Sequence, residues 1–351
     1  MSKTATIKDV AQLAAVSAAT VSLVMNDVAN SRITTSTADR VRAAATALGY
    51  TPNPLARGLR RQRTDVIAMI SDTITTTPYA VHMIEAVEEV VRANGLLLFL
   101  VNTGGDPVVE KTAIAALARQ HVDGFIYACM YHRVIEPPEG IGPHVVLLDA
   151  RTRGQGIPAV VPDERGGAST AVGELLGRGH RRVGFINDVK GPPAAALRLV
   201  GYRDALKAYG VRFDRRLVVD ADPSAGGEPT RDAAAAAAVG LVEHAGATAL
   251  FCFNDRMAVA ACRGLRGRGL AVPDDVSVVG FDDQEYVASY ADPPLTTVAL
   301  PHYAMGEWAA RALVDRVHGR AVSSETHLMP CQLVRRASVG PPRRTGPDDW
   351  H

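Results

Sequence analysis

The sequence predicts a multidomain protein: an all-α, three-helix helix-turn-helix headpiece, followed by an α/β body of two doubly wound lobes. Three observations predict it. Apolar residues recur at helical spacing through residues 6–48. From Val66 onward, short apolar runs alternate with amphipathic stretches, and that alternation restarts near residue 165. Charge is divided unevenly. Residues 1–63 hold nine Lys or Arg and three Asp, a net of +6, while the other 29 basic and 34 acidic residues leave −5. A basic headpiece on a mildly acidic body is the electrostatic footprint of a polyanion binder whose body does something else.

The headpiece opens at Thr6, an N-cap with Asp9 three residues on. Ile7, Val10, Ala11 and Ala14 then share one helical face, and Ala15-Val16 makes the turn. Ser17 caps a second helix, leaving first-turn N–H groups for a phosphate. On that helix Val21, Val24 and Met25 are expected inside. Ala18, Ala19, Thr20, Ser22, Leu23 and Asn26 are expected outside. A small, hydroxylated, uncharged outer face can approach base edges in a major groove closely. The plainer alternative is a helical hairpin that only packs. Thr34 caps a third helix to about Leu48, with Val41, Ala44, Ala45 and Leu48 inward and Gly49 at the left-handed C-cap position.

Residues 51–63 follow as a linker. Asn53 and Pro54 can start a helix of one or two turns, which is marginal alone in water and weakened further by Gly58. It reads either as a basic linker or as a helix that forms only against DNA and a partner chain.

In the body, strands are expected at Val66–Ile70, Leu96–Val101, Val122–Ala128 and Val145–Leu148, with helices at 78–94 and 107–120. The second round has helices at 165–178, 194–209, 228–243 and 255–268. Its strands are expected at 183–186, 217–219, 249–253 and 276–281. A helix at 302–318 precedes short strands near Leu328 and Leu333. The expected division is 1–50 headpiece, 51–63 hinge and 64–340 body, with 341–351 a disordered tail. Within the body, the N-lobe takes 64–162 and 295–322, and the C-lobe 163–294 and 323–340. Ligands of such sheets bind at the carboxyl ends of the strands. Two facing lobes make a cleft that closes by hinge motion.

Composition narrows the function classes. With 47% hydrophobic and 21% charged residues, the chain is a folded globular protein. No run of about 18 apolar residues marks a membrane span, and no apolar leader follows Met1, so a cytoplasmic protein is expected. Cys129, Cys252, Cys262 and Cys331 are scattered, which fits a reducing compartment and argues against a structural zinc site. No catalytic constellation, metal site or cofactor site is expected. Gly264-Leu265-Arg266-Gly267-Arg268-Gly269 has the wrong spacing for a dinucleotide fingerprint and follows a helix. An α/β enzyme fused to a DNA-binding module is the alternative function, and a turnover assay separates it from a sensor. A free solute-binding protein is less favoured, for want of an export signal.

The motifs carry a resemblance. Thr-Ile-Lys-Asp-Val-Ala (6–11), Ala-Thr-Val-Ser (19–22), Leu48-Gly49-Tyr50, Pro52-Asn53 and Leu55-Ala56-Arg57 resemble the headpiece of the lac repressor family. In the body, Val122-Asp123-Gly124, Leu147-Leu148-Asp149, Asn254-Asp255 and the run from Val272 to Asp283 match too. The resemblance covers roughly residues 5–336. It implies a periplasmic-binding-protein-like body and a homodimeric transcription repressor on a pseudo-palindromic double-stranded DNA operator. DNA contacts are implied from Thr6, Ser17, Ala18, Ala19, Thr20, Ser22, Leu23, Asn26 and Thr34. The hinge would add Asn53, Ala56, Arg57 and Leu59, with Leu59 wedged in the minor groove. The effector, a sugar in many members, would meet Tyr79, Asp149, Arg198, Asn254 and Asp282. Asp149, Asn254 and Asp282 end strands, Arg198 brings five donors, and Tyr79 offers a ring to stack on. Leu23 replaces an arginine of many members, and Leu300, Pro223 and the loop Thr75-Thr76-Thr77-Pro78-Tyr79 depart around the cleft. Operator and effector therefore do not carry over.

Overall fold

The computed structural model describes residues 5–25, 33–50, 63–77, 80–154, 156–188, 193–221 and 229–343. The chain divides into two compact units, Met1–Asp65 and Val66–His351. The hinge residues Asn53, Ala56, Arg57 and Leu59, together with Asn26, Pro78, Tyr79, Pro223 and the tail from residue 344, lie outside the described residues.

The first unit holds α1 (Ile7–Leu13), α2 (Ala18–Met25) and α3 (Thr35–Ala47). Their shared core is Val10, Ala11, Ala14, Val21, Val24, Val41, Ala44 and Ala45. The tight turn needs a left-handed residue, and Ala15 takes it at φ 52°. Gly49 takes the same region at φ 61°. Gly49 N donates to Thr46 O at 3.1 Å and Tyr50 N to Ala45 O at 2.9 Å, so the end of α3 closes as a Schellman motif.

In the second unit, β1 (Val66–Ser71), β2 (Leu97–Asn102), β3 (Gly124–Val134), β4 (Val145–Arg151), β5 (Ala159–Pro162) and β11 (Thr326–Met329) form one sheet, ordered β11-β5-β4-β3-β1-β2. Every pairing in it is parallel. Helices α4 (Val81–Ala93), α5 (Pro107–Arg119) and α10 (His302–Val317) flank this N-lobe sheet. At Gly306, α10 lies so close to α4 that an added Cβ would collide with Met83 O. The C-lobe sheet runs β7 (Val218–Ala221), β6 (Val183–Asp188), β8 (Ala249–Cys252), β9 (Ser277–Val279), again parallel. It is flanked by α6 (Glu164–Gly177), α7 (Pro193–Ala208), α8 (Pro229–Glu243) and α9 (Asp255–Arg266). Strand β10 (Thr297–Ala299) continues from β9 through bridges and pairs antiparallel with β12 (Gln332–Val334).

Several expectations move. The helix expected from residue 78 begins at Val81, after a 3-10 turn at Ile74–Thr76. Strand β3 runs six residues past Ala128, through a register shift. Strands β5 and β10 were not foreseen: β5 is four residues, starting after Pro158 and ending on Pro162, and β10 only three. Around the expected lobe boundaries at 295 and 323, Thr296 and Ala299 bridge to Val279 and Asp282, and residues 326–329 pair with β5 in the N-lobe sheet.

Candidate functional site

The headpiece presents its second helix on a capped start. Ser17 Oγ accepts from Thr20 N at 3.1 Å, and Thr6 N donates to Asp9 Oδ2 at 2.7 Å. Thr34 caps α3, its hydroxyl accepting from Thr37 N. Ala19 and Leu23 are exposed and Thr20 is half-buried. Ser22 is a correction. Expected outside, it is 7% exposed. It stands four residues after Ala18, which packs against the core, and one after Val21. Positions 18, 21, 22, 24 and 25 thus form the inward stripe of α2. The outward face among the described residues reduces to Ala19, Thr20 and Leu23, beside Ser17.

In the body, three of the four described effector candidates gather at the carboxyl ends of strands. Asp149 lies in β4 near its carboxyl end at φ 53°, a left-handed conformation that a non-glycine residue holds at a cost. It is 5% exposed, and its Oδ1 has no partner among the described residues. Burial, helped by the negative charge of Glu164 and opposed by Arg198, raises its carboxyl well above the usual range. Asp282 follows β9 at φ 106°. Its Oδ2 accepts from Gln284 Nε2 at 2.9 Å. Burial pushes its carboxyl up to about 6, with Arg198 working the other way.

Arg198 joins these elements. It is 3% exposed and is the one buried Lys or Arg among the described residues. Nε donates to Glu164 Oε2 at 2.6 Å, one terminal nitrogen to Phe253 O, and the other to Asp282 Oδ1 at 3.5 Å. The guanidinium stacks 3.7 Å over the Phe281 ring and 4.4 Å over Phe253. Burial works against its charge, but Glu164 and Asp282 outweigh it and its pKa is raised. Three of its five N–H groups donate in these contacts. Asn254 serves its own helix. It is the N-cap of α9, its Oδ1 accepting from Met257 N at 2.9 Å.

Two positions were missed from sequence. Glu164, 3% exposed, reads there as an ordinary acid in a helix first turn. Asp255, fully buried, accepts from Thr297 Oγ1 at 2.5 Å and from Gln284 N at 2.7 Å, pinning the turn that presents Asp282. Its signal was its place after Asn254 in a matched motif.

A capped helix-turn-helix unit and a two-lobed body with a buried polar cluster at its strand ends define a class: DNA-binding proteins that respond to a small molecule. The comparisons agree. Residues 6–53 match the family of bacterial regulatory proteins, lacI family, and residues 172–339 match the periplasmic binding protein-like domain. The HTH-type transcriptional repressor CytR of Escherichia coli (strain K12) is 32% identical over 340 residues, covering 95% of this chain and 96% of CytR. The solved complex of the transcriptional regulator CelR with cellobiose is 32% identical with a TM-score of 0.64, covering 95% and 99% of the two chains. The crystal structure of the lac repressor dimer bound to operator and the anti-inducer ONPF is 26% identical with a TM-score of 0.75, covering 96% and 100%. The chain belongs to the lacI family of bacterial regulatory proteins. It is a DNA-binding transcription regulator and not an enzyme.

Proposed function

We propose that this regulator is a repressor that binds a pseudo-palindromic operator as a homodimer, and that a neutral polyhydroxylated effector, a sugar, sets its affinity from the cleft. The carrying observation is the cleft's charge inventory. Arg198, the one buried cation among the described residues, is already paired with Glu164 and Asp282, so no positive charge is left over for an anionic ligand. The unpartnered carboxyl oxygen Asp149 Oδ1 suits a ligand hydroxyl, and the other two N–H groups of Arg198 suit hydroxyl acceptors. CelR, solved with cellobiose, supports a carbohydrate. Ser17, Ala19, Thr20 and Leu23, with Thr6 and Thr34 at the flanking helix starts, face the operator in this reading. Asn26, Asn53, Ala56, Arg57 and Leu59 complete the contacts. The edge strand β2, with Leu97, Phe99 and Leu100 exposed, supports a second copy as partner, because a bare apolar edge needs covering. No described helix is long and apolar enough to cross a membrane. We place the protein in the cytoplasm.

The test is fluorescence anisotropy on a labelled operator, titrated with neutral sugars and with their phosphorylated forms. A neutral sugar is expected to move the binding curve and its phosphate to leave it in place. A response to the phosphate alone overturns the reading.

A further inference from the structure

Past the register shift at Ala128/Arg133, β3 continues with Arg133 opposite Ala150 and Val134 opposite Arg151 of β4. His132 lies inside that shift, between the pairs Ala128–Leu148 and Arg133–Ala150, toward the carboxyl edge of the sheet. Exposure alternates along this extension: Tyr131 and Arg133 are exposed, while His132 is 3% exposed. Helix α7, which carries Arg198, packs against β3 from the other lobe. Neither ring nitrogen of His132 has a hydrogen-bond partner among the described residues. An imidazole buried with both nitrogens idle costs folding free energy and returns it only when something pairs them. Burial, with the charges of Arg151 and Arg198, pushes its pKa down to about 4, so the ring is neutral at physiological pH and offers one donor and one acceptor.

We infer that His132 is an effector-contact and specificity-determining residue of the cleft, donating to one hydroxyl and accepting from another on a neutral polyhydroxylated ring held between β3 and the helix that carries Arg198. The inference rests on the reading of the cleft as a neutral-effector site. His132 then fixes which pair of adjacent hydroxyls the site accepts, because a fixed imidazole places its donor and acceptor in one plane. Asn187 Oδ1 at the end of β6, also buried without a partner, offers the C-lobe's counterpart acceptor.

The experiment compares full-length wild type, His132→Phe and His132→Gln. Calorimetric titrations use a panel of neutral mono- and disaccharides including ribose, galactose and cellobiose, and unliganded melting temperatures are recorded alongside. His132→Phe is expected to bind the responding sugar about tenfold more weakly or worse, since a lost hydrogen-bond pair at a buried site carries that factor. His132→Gln, which keeps a donor and an acceptor, is expected to recover part of the loss. The unliganded His132→Phe protein is expected to melt at or above the wild-type temperature, because two idle buried polar atoms have gone. Wild-type affinity in His132→Phe overturns the inference and leaves the sugar reading standing. A loss of affinity accompanied by a lower melting temperature makes His132 a packing residue and also overturns it. If no neutral sugar binds wild type, the reading of the cleft falls, and this inference with it.

Discussion

Replacing Arg198 by Met keeps most of the volume and removes the charge. The guanidinium sits 2.6 Å from Glu164 and 3.5 Å from Asp282, at 3% exposure, over two aromatic faces. Removing one partner of a buried ionic network leaves an uncompensated buried charge, at a cost of about 3–5 kcal/mol. Here two carboxylates lose their partner, so the upper half of that range is expected. For a lobe of this size, roughly 2–4 °C of melting temperature goes with each kcal/mol, so calorimetry should show a drop of roughly 8–20 °C. The double variant Glu164→Gln/Arg198→Met removes one stranded carboxylate and should regain about half of the loss. Measured on full-length protein, the headpiece transition should not move, since its core is made by its own three helices. A loss under about 1 kcal/mol for Arg198→Met, or no recovery in the double variant, would refute the view that this triad is a paired buried network.

Leu59→Ala should remove most of the specific operator affinity and the DNA bend while leaving weak, salt-sensitive binding; unchanged bend and affinity would make residues 53–60 a plain linker. Operator affinity should fall steeply with salt, because the +6 headpiece is doubled in a dimer. If six phosphates are neutralised, the slope of log K against log salt is about −5, and a flat dependence counts against this binding surface. Asp282, with its carboxyl raised to about 6 in the fold, holds its proton more tightly folded than unfolded. Its favourable contribution is full below about pH 4 and is lost as pH rises through about 6. Between pH 7 and pH 5, wild type should therefore gain about 1 kcal/mol more stability than Asp282→Asn. Equal pH dependence in urea titrations of the two proteins would show that Asp282 titrates normally.

Much of the architecture was legible because it rests on local rules. Gly49 closes α3 where a left-handed residue was expected, and apolar runs bounded by polar turns became the strands of two parallel sheets. What was not legible depends on tertiary placement. Ser22 looked like a surface hydroxyl until the exit angle of the turn at Ala15 set which stripe of α2 faced inward. The short strands β5 and β10 carry too few residues for periodicity to register. The parallel pairing of β11 with β5 is a long-range contact that no local pattern encodes. Arg198 was singled out through the resemblance, as a guanidinium bringing five donors. Its partner Glu164, 34 positions earlier, was not, because an acid in a helix first turn already has a local explanation. His132 carries no sequence signal beyond being a histidine, since its isolation follows from the extension of β3 past its register shift.

The measurement that tests the account most directly is selection of bound sites from a randomised double-stranded DNA pool by the full-length protein. The account predicts enrichment of a single pseudo-palindrome, with two half-sites related by a two-fold axis, bound by a dimer and shifted in affinity by a neutral sugar. Recovery of no enriched sequence, or of an asymmetric site bound by one chain, would contradict it.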